Sequence, residues 1–175
     1  MFVSEHKVKR CSPVFWSRQK ESIGAELKEK DLSAILNIAK QLKSIYELKE
    51  TQEKYLEDLM KDFCPNLTAV AGFEIGARLI RHAGSLKNLM EMPASKIQLL
   101  GAEKALFRHM KSGAKPPKFG MIFQHPLIQK SEKKSQGKAA RILADKISIA
   151  VKIDYFKGDF IGDKLVKEIE TKLGY

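Results

Sequence analysis

From Asp31 to Phe63 the chain runs without glycine or proline. Strong helix formers fill the stretch, which predicts one helix of about thirty residues. Its apolar positions Leu32, Ile35, Ala39, Leu42 and Tyr46 follow the three-four alternation of a coiled-coil seam. Beyond Tyr46 the phase slips: Lys49 and Glu53 fall on the seam, while Ile45, Leu48, Gln52, Tyr55 and Leu59 form a neighbouring stripe. At about 1.5 Å per residue the helix reaches about 45 Å, so part of it is expected to project and its stripe to need a partner helix.

The Cys64-Pro65 step closes that helix, because a residue before proline is pushed out of the α region. Leu67, Val70, Ala71, Ile75, Leu79 and Ile80 then mark a helical face. Gly72 and Gly76 interrupt it, predicting a break or a close backbone approach, and Gly84 is placed as a left-handed cap. Ser85 is positioned to cap a short helix through Met90, and Pro93–Leu100 starts another that leads into a basic stretch. From Lys138 to Phe156, Ala139, Ala140, Leu143, Ala144, Ile147, Ala150, Val151 and Ile153 form a wide apolar face with Lys and Arg opposite, the pattern of a central buried helix. A last amphipathic helix over about 163–173 returns Leu165, Val166 and Ile169 to the core. No stretch alternates at period two, so the expected fold class is all-α, divided into a lead-in at 1–20, a coiled-coil helix at 21–64 and a helical domain at 65–175. In the lead-in, Val14, Phe15 and Trp16 are expected as a local anchor in preference to a base-stacking platform.

Charge sharpens the picture. Residues 101–141 hold ten Lys or Arg and two acidic residues, net +8 of the chain's +11. Such clustering points to a polyanionic partner. The 175 residues, 43% of them hydrophobic, can bury a sizeable core. The start, MFVSEHKVKRC, places charges where a signal peptide would be apolar, and no membrane span is expected. An intracellular protein is expected. Cys11 and Cys64 stand at neither disulfide-framework nor metal-ligand spacing and are expected reduced, while His6, His82, His109 and His125 show no zinc spacing. Phosphate-loop, dinucleotide and nucleophile-elbow motifs are missing, and no carboxylate pair sits in an apolar setting. Catalysis, cofactors and metals are not expected.

The basic stretch can bind phosphates and bases. Lys104, Arg108 and Lys111 recur at i, i+4 and i+7 on one helix face, and Lys115 and Lys118 flank the stiff Pro116-Pro117 pair. Phosphate contacts position a nucleic acid without specifying it. Phe119, Gln124 and His125 offer stacking surface and hydrogen-bonding edges suited to looped-out RNA, though Phe119 and Phe123 are also candidates for the core. Lys138 and Arg141, near the start of the following helix, extend the patch.

GAEKALFRHMKSGAKPPKFGMIFQHPLI resembles the signature of the Nop domain family, the scaffold proteins of box C/D ribonucleoproteins and a spliceosomal relative. Supporting matches run through CPNLTAVAGFEIGARLIRHAGSLKNLMEMPASKIQLL and GKAARILADKISIAVKIDYFKG, with fainter similarity at SIGAEL, 22–27. The resemblance implies an all-α module on a coiled-coil stalk that recognises a kink-turn guide RNA together with the small L7Ae-type kink-turn protein bound to it. By motif position it places Lys104, Ala105, Leu106, Phe107 and Arg108 near the guide RNA and Gln124 and His125 close to the kink-turn. Lys138 and Arg141 fall on its GK-x-AR helix start.

Two departures stand out. Archaeal members of the family usually carry an N-terminal domain that holds fibrillarin and then two antiparallel coiled-coil helices, whereas this chain begins at about the second helix. Fibrillarin recruitment is therefore not expected, and the helix at 31–63 is a candidate for homodimerisation or for capping a full-length paralogue. The loop between Ile128 and Gly137 is lysine-rich where the family has aromatics, so the resemblance does not carry base-specific or protein-specific contacts over to that loop.

Overall fold

The computed structural model describes residues 28–173, and among them there are helices and turns with no strand, as an all-α chain requires. Cys11, His6, the aromatics at 14–16 and the SIGAEL stretch lie outside the described residues. The chain divides into two compact units, residues 1–47 and 48–175, and each is described by itself.

The described part of the first unit belongs to helix α1, Glu29–Phe63, which starts two residues before the predicted helix. Glu29 and Asp31 occupy its first turn and Lys61 its last, charges that suit the helix dipole. The seam residues Leu32, Ile35 and Leu42 are all exposed, as are Leu36 and Ile38.

In the second unit the end of α1 joins a core. Lys49 and Glu53, the residues that interrupt the seam, pair with one another at 3.2 Å on the surface. Met60 is buried, and so is Cys64, whose thiol is pushed up to about 12 by burial and by the nearby Asp154 carboxylate. Helices α2 (Pro65–Ala71) and α3 (Phe73–Ala83) follow, separated at Gly72 with φ 78°. The two glycines thus divide the expected roles. Gly72 breaks the helix, and Gly76 continues it while lying so near Met60 that an added Cβ would stand 3.1 Å from the methionine methyl.

Helix α4 (Leu86–Glu91) is capped by Ser85, whose hydroxyl accepts from the Asn88 amide at 3.1 Å. Helix α5 is Ala94–Leu99. The central helix α8, Gln136–Tyr155, buries Ala139, Ala140, Leu143, Ala144, Ile147, Ala150 and Val151. It packs against α2, α4, α5, a short α7 (Pro126–Lys130) and the last helix α9 (Gly162–Leu173). One lysine departs from the expected polar face: Lys146 is buried, and its ammonium donates to Glu168 on α9 at 2.5 Å. That bond holds the Glu168 carboxyl below its ordinary value.

A buried network ties the end of α8 to the start of α2. Asp154 accepts from the backbone N–H groups of Asn66 at 3.1 Å and Leu67 at 2.8 Å. It accepts again from the Asn66 side chain at 2.8 Å, whose own oxygen accepts from the Ile161 amide at 2.7 Å. The first turn of α2 lacks a local side-chain cap, and Asp154 supplies the acceptor from across the fold.

Candidate nucleic-acid interface

The chain leaves the core at Leu100 and returns at Gly120, and the base of this excursion is clamped. The Gly120 amide donates to the Gln98 carbonyl and the Met121 amide to the Leu100 carbonyl, each at 2.8 Å. The Gln98 side chain donates to the Lys118 carbonyl at 2.6 Å. A Cβ on Gly120 would stand 2.1 Å from the Leu100 oxygen, so only glycine permits this approach.

Between the clamps runs α6, Glu103–Ser112, which buries none of its residues. Its ends are fixed locally. The Gly101 amide donates to the Glu103 carboxylate at 2.7 Å, which holds that carboxyl below its ordinary value. At the other end Gly113 adopts φ 67° and donates to the His109 carbonyl at 2.9 Å. The His109 ring bonds the Ala114 carbonyl through Nδ1, which must therefore carry the proton. On this helix Lys104, Arg108 and Lys111 are exposed, together with Phe107 and Met110. The Lys111 ammonium lies 5.9 Å from the centre of the Phe107 ring.

Lys118 joins Lys138 and Arg141 from the start of α8 in one cleft of about 530 Å3, which Ser95, Gln98 and Pro117 also line. A hollow of about 420 Å3 shares Ser95, Gln98 and Arg141 with it and adds Asp145 and Lys172. Lys115 is exposed beside Pro116 and is not among the residues lining that cleft.

The segment after Gly120 forms a 3-10 turn, Met121–Gln124, that buries Ile122. Phe119 and Phe123 stack with ring centres 4.6 Å apart and planes 8° from parallel. Phe119 packs against the core, and Phe123 is 38% exposed. Gln124 is exposed, with its side-chain oxygen held by the Arg78 guanidinium. Arg78 also pairs with Glu74 one turn earlier on α3, at 2.6 Å. His125 is half-buried and caps α7, its Nδ1 accepting from the Leu127 amide at 3.3 Å. Burial pushes its pKa below the ordinary value, while hydrogen bonding to the Val70 backbone pulls the other way.

Sequence reasoning singled out the cations but missed Arg78, which orients Gln124, and Gln98, which secures the loop. Arg78 carried only the weak signal of a glutamate four positions before it, and Gln98 carried none. Among the described residues no group of three His, Cys, Asp or Glu is placed to hold a metal, and no helix is long and apolar enough to cross a membrane.

Comparison with known proteins places these features in a family. Residues 5–175 match the family described as "Nop: snoRNA binding domain, fibrillarin". The chain is 47% identical over 154 residues to an uncharacterised NOP5 family protein of Methanocaldococcus jannaschii, covering 88% of this chain and 37% of that protein. It is 40% identical to nucleolar protein 56 of Caenorhabditis elegans, covering 88% and 32%. With nucleolar protein 58 of Schizosaccharomyces pombe the identity is 44%, over 76% of this chain and 26% of the relative. The chain therefore spans about a third of the length of these curated relatives. It is similar to a chain in the crystal structure of a fibrillarin/NOP5p complex, with 35% identity and a TM-score of 0.67, covering 85% of this chain and 55% of that one.

Proposed function

This chain belongs to the Nop domain family, and from that premise we propose that it is a non-catalytic ribonucleoprotein-binding module. Its ligand is a kink-turn, box C/D-like RNA together with the L7Ae-type protein bound to that RNA. The convergence of Lys118, Lys138 and Arg141 on one cleft carries the reading. Lys118 from the loop and Lys138 and Arg141 from the start of α8 meet there, beside a loop whose base is clamped by backbone hydrogen bonds. Lys104, Arg108 and Lys111 add charge on a helix that contributes nothing to the core, a surface suited to tracking phosphates. Phe123 and Gln124, exposed at the adjoining turn, supply a ring and an amide for unstacked bases.

A gel shift with a kink-turn RNA, with and without its bound protein, tests this. The protein is expected to shift the RNA–protein complex at lower concentration than either the RNA alone or a plain duplex of equal length. Equal binding to all three would overturn the reading.

The exposed seam of α1 supports a second activity, pairing with a second copy or with a full-length family member through Leu32, Ile35 and Leu42. Sedimentation is expected to show self-association that Leu42→Glu abolishes. A strict monomer that ignores full-length family members would remove it.

A further inference from the structure

We infer that Arg78 is a positioning residue that fixes Gln124 as a hydrogen-bond donor, so that the RNA group read by Gln124 is an acceptor. A glutamine amide is ambiguous, since one end accepts and the other donates, and either can face a ligand. Arginine removes the ambiguity because a guanidinium has five N–H donors and no acceptor. The Arg78 guanidinium bonds the Gln124 side chain, so the atom facing it must be the amide oxygen and the NH2 is committed to the other side. Arg78 is itself restrained, its second nitrogen held by Glu74 at 2.6 Å, one turn back on α3. The 3-10 turn carrying Gln124 packs on α3, so donor and orienting group sit on elements in contact.

The chemistry of the ligand follows. An NH2 group pairs with a base carbonyl, a ring nitrogen such as N7 of a purine, or a phosphate oxygen, and rejects an exocyclic amine. This inference rests on the RNA-binding reading above. It adds the polarity of one contact and the residue that sets it.

The test measures affinity of the full chain for the kink-turn RNA–protein complex across Gln124→Ala, Gln124→Glu, Arg78→Ala, Arg78→Lys and the double alanine variant. Gln124→Ala is expected to weaken binding about fivefold, the loss of one hydrogen bond. Gln124→Glu keeps the Arg78 contact but replaces the donor with a carboxylate oxygen, so it is expected to lose at least as much. Arg78→Ala is expected to weaken binding, Arg78→Lys to restore part of the loss, and the double variant to match Gln124→Ala. All five should melt within a few degrees of the wild type, both side chains lying outside the core. Wild-type affinity in Gln124→Glu, or additive losses in the double variant, would overturn the inference while leaving the RNA-binding reading intact. A wild type that does not bind the complex at all would overturn that reading and this inference with it. Replacing acceptor atoms of the RNA one at a time should reveal one whose loss is silent in Gln124→Ala. If that coupling lies instead with a carbonyl of the bound protein, the assignment to RNA is wrong.

Discussion

Asp154 accepts three hydrogen bonds from Asn66 and Leu67 in a buried site, so removing its carboxylate strands two backbone donors and leaves the Asn66 side-chain amide only the Asp159 carbonyl at 3.4 Å. Asp154→Ala is expected to cost about 3 kcal/mol, from unsatisfied buried donors and the missing cap. Urea denaturation reads this directly, and a loss below about 0.5 kcal/mol would show that water replaces the carboxylate. His125 gives a pH signature. Its neutral ring accepts from the Leu127 amide, and its pKa in the fold lies below the ordinary 6.5. The unfolded chain then binds the proton first, so this residue's contribution is full above about 6.5 and declines as pH falls toward the folded value. The melting temperature of wild type is expected to drop more between pH 7 and 5 than that of His125→Asn, which can keep the cap without titrating. Equal slopes would mean that His125 does not titrate in that window. The cations of the site were legible because helical spacing is local. Arg78, Gln98 and Asp154 were not, since their partners lie 46, 20 and 88 positions away and no periodicity encodes such distances.

The excursion from Gly101 to Phe119 is held at its base, and two glycines show how differently the same residue can matter. At Gly120 a methyl group would overlap the Leu100 carbonyl, so Gly120→Ala is expected to open the clamp and weaken RNA binding. Gly113 has φ 67° but nothing within 4 Å of an added Cβ. Gly113→Ala should therefore cost about 1 kcal/mol of backbone strain and leave binding almost unchanged. Parallel gel shifts on the two variants check the contrast, and wild-type binding by Gly120→Ala would mean that the clamp is dispensable. Helix boundaries were largely readable: α1 and α8 each begin two residues before the predicted start, and Ser85 caps α4 as expected. The 3-10 turn and α7 were read only as a turn at His125-Pro126. Four and five residues long, they are too short for a periodic signal, and the proline at the head of α7 was the sole cue.

At the scale of the molecule the fold separates two kinds of surface. The core is built on α8 and takes in most of that helix's apolar face, with Lys146 buried beside it and paired with Glu168. The cations of residues 101–141 are left outside it, seven of the ten on the excursion or lining the cleft. The family and the helical class were legible because the motif is long and local. The grouping of Lys118 with Lys138 and Arg141 depends on packing among α5, the loop and α8. The central claim is that α6 and this cleft bind phosphates of one RNA, and the salt dependence of binding tests it most directly. Removing one phosphate-binding cation should lower the slope of log affinity against log salt by about 0.9 on duplex or about 0.7 on single-stranded RNA. Arg108→Ala, Lys138→Ala and Arg141→Ala are each expected to flatten the slope by about that amount, and the triple variant by their sum. Slopes identical to wild type, with affinity unchanged, would contradict the account.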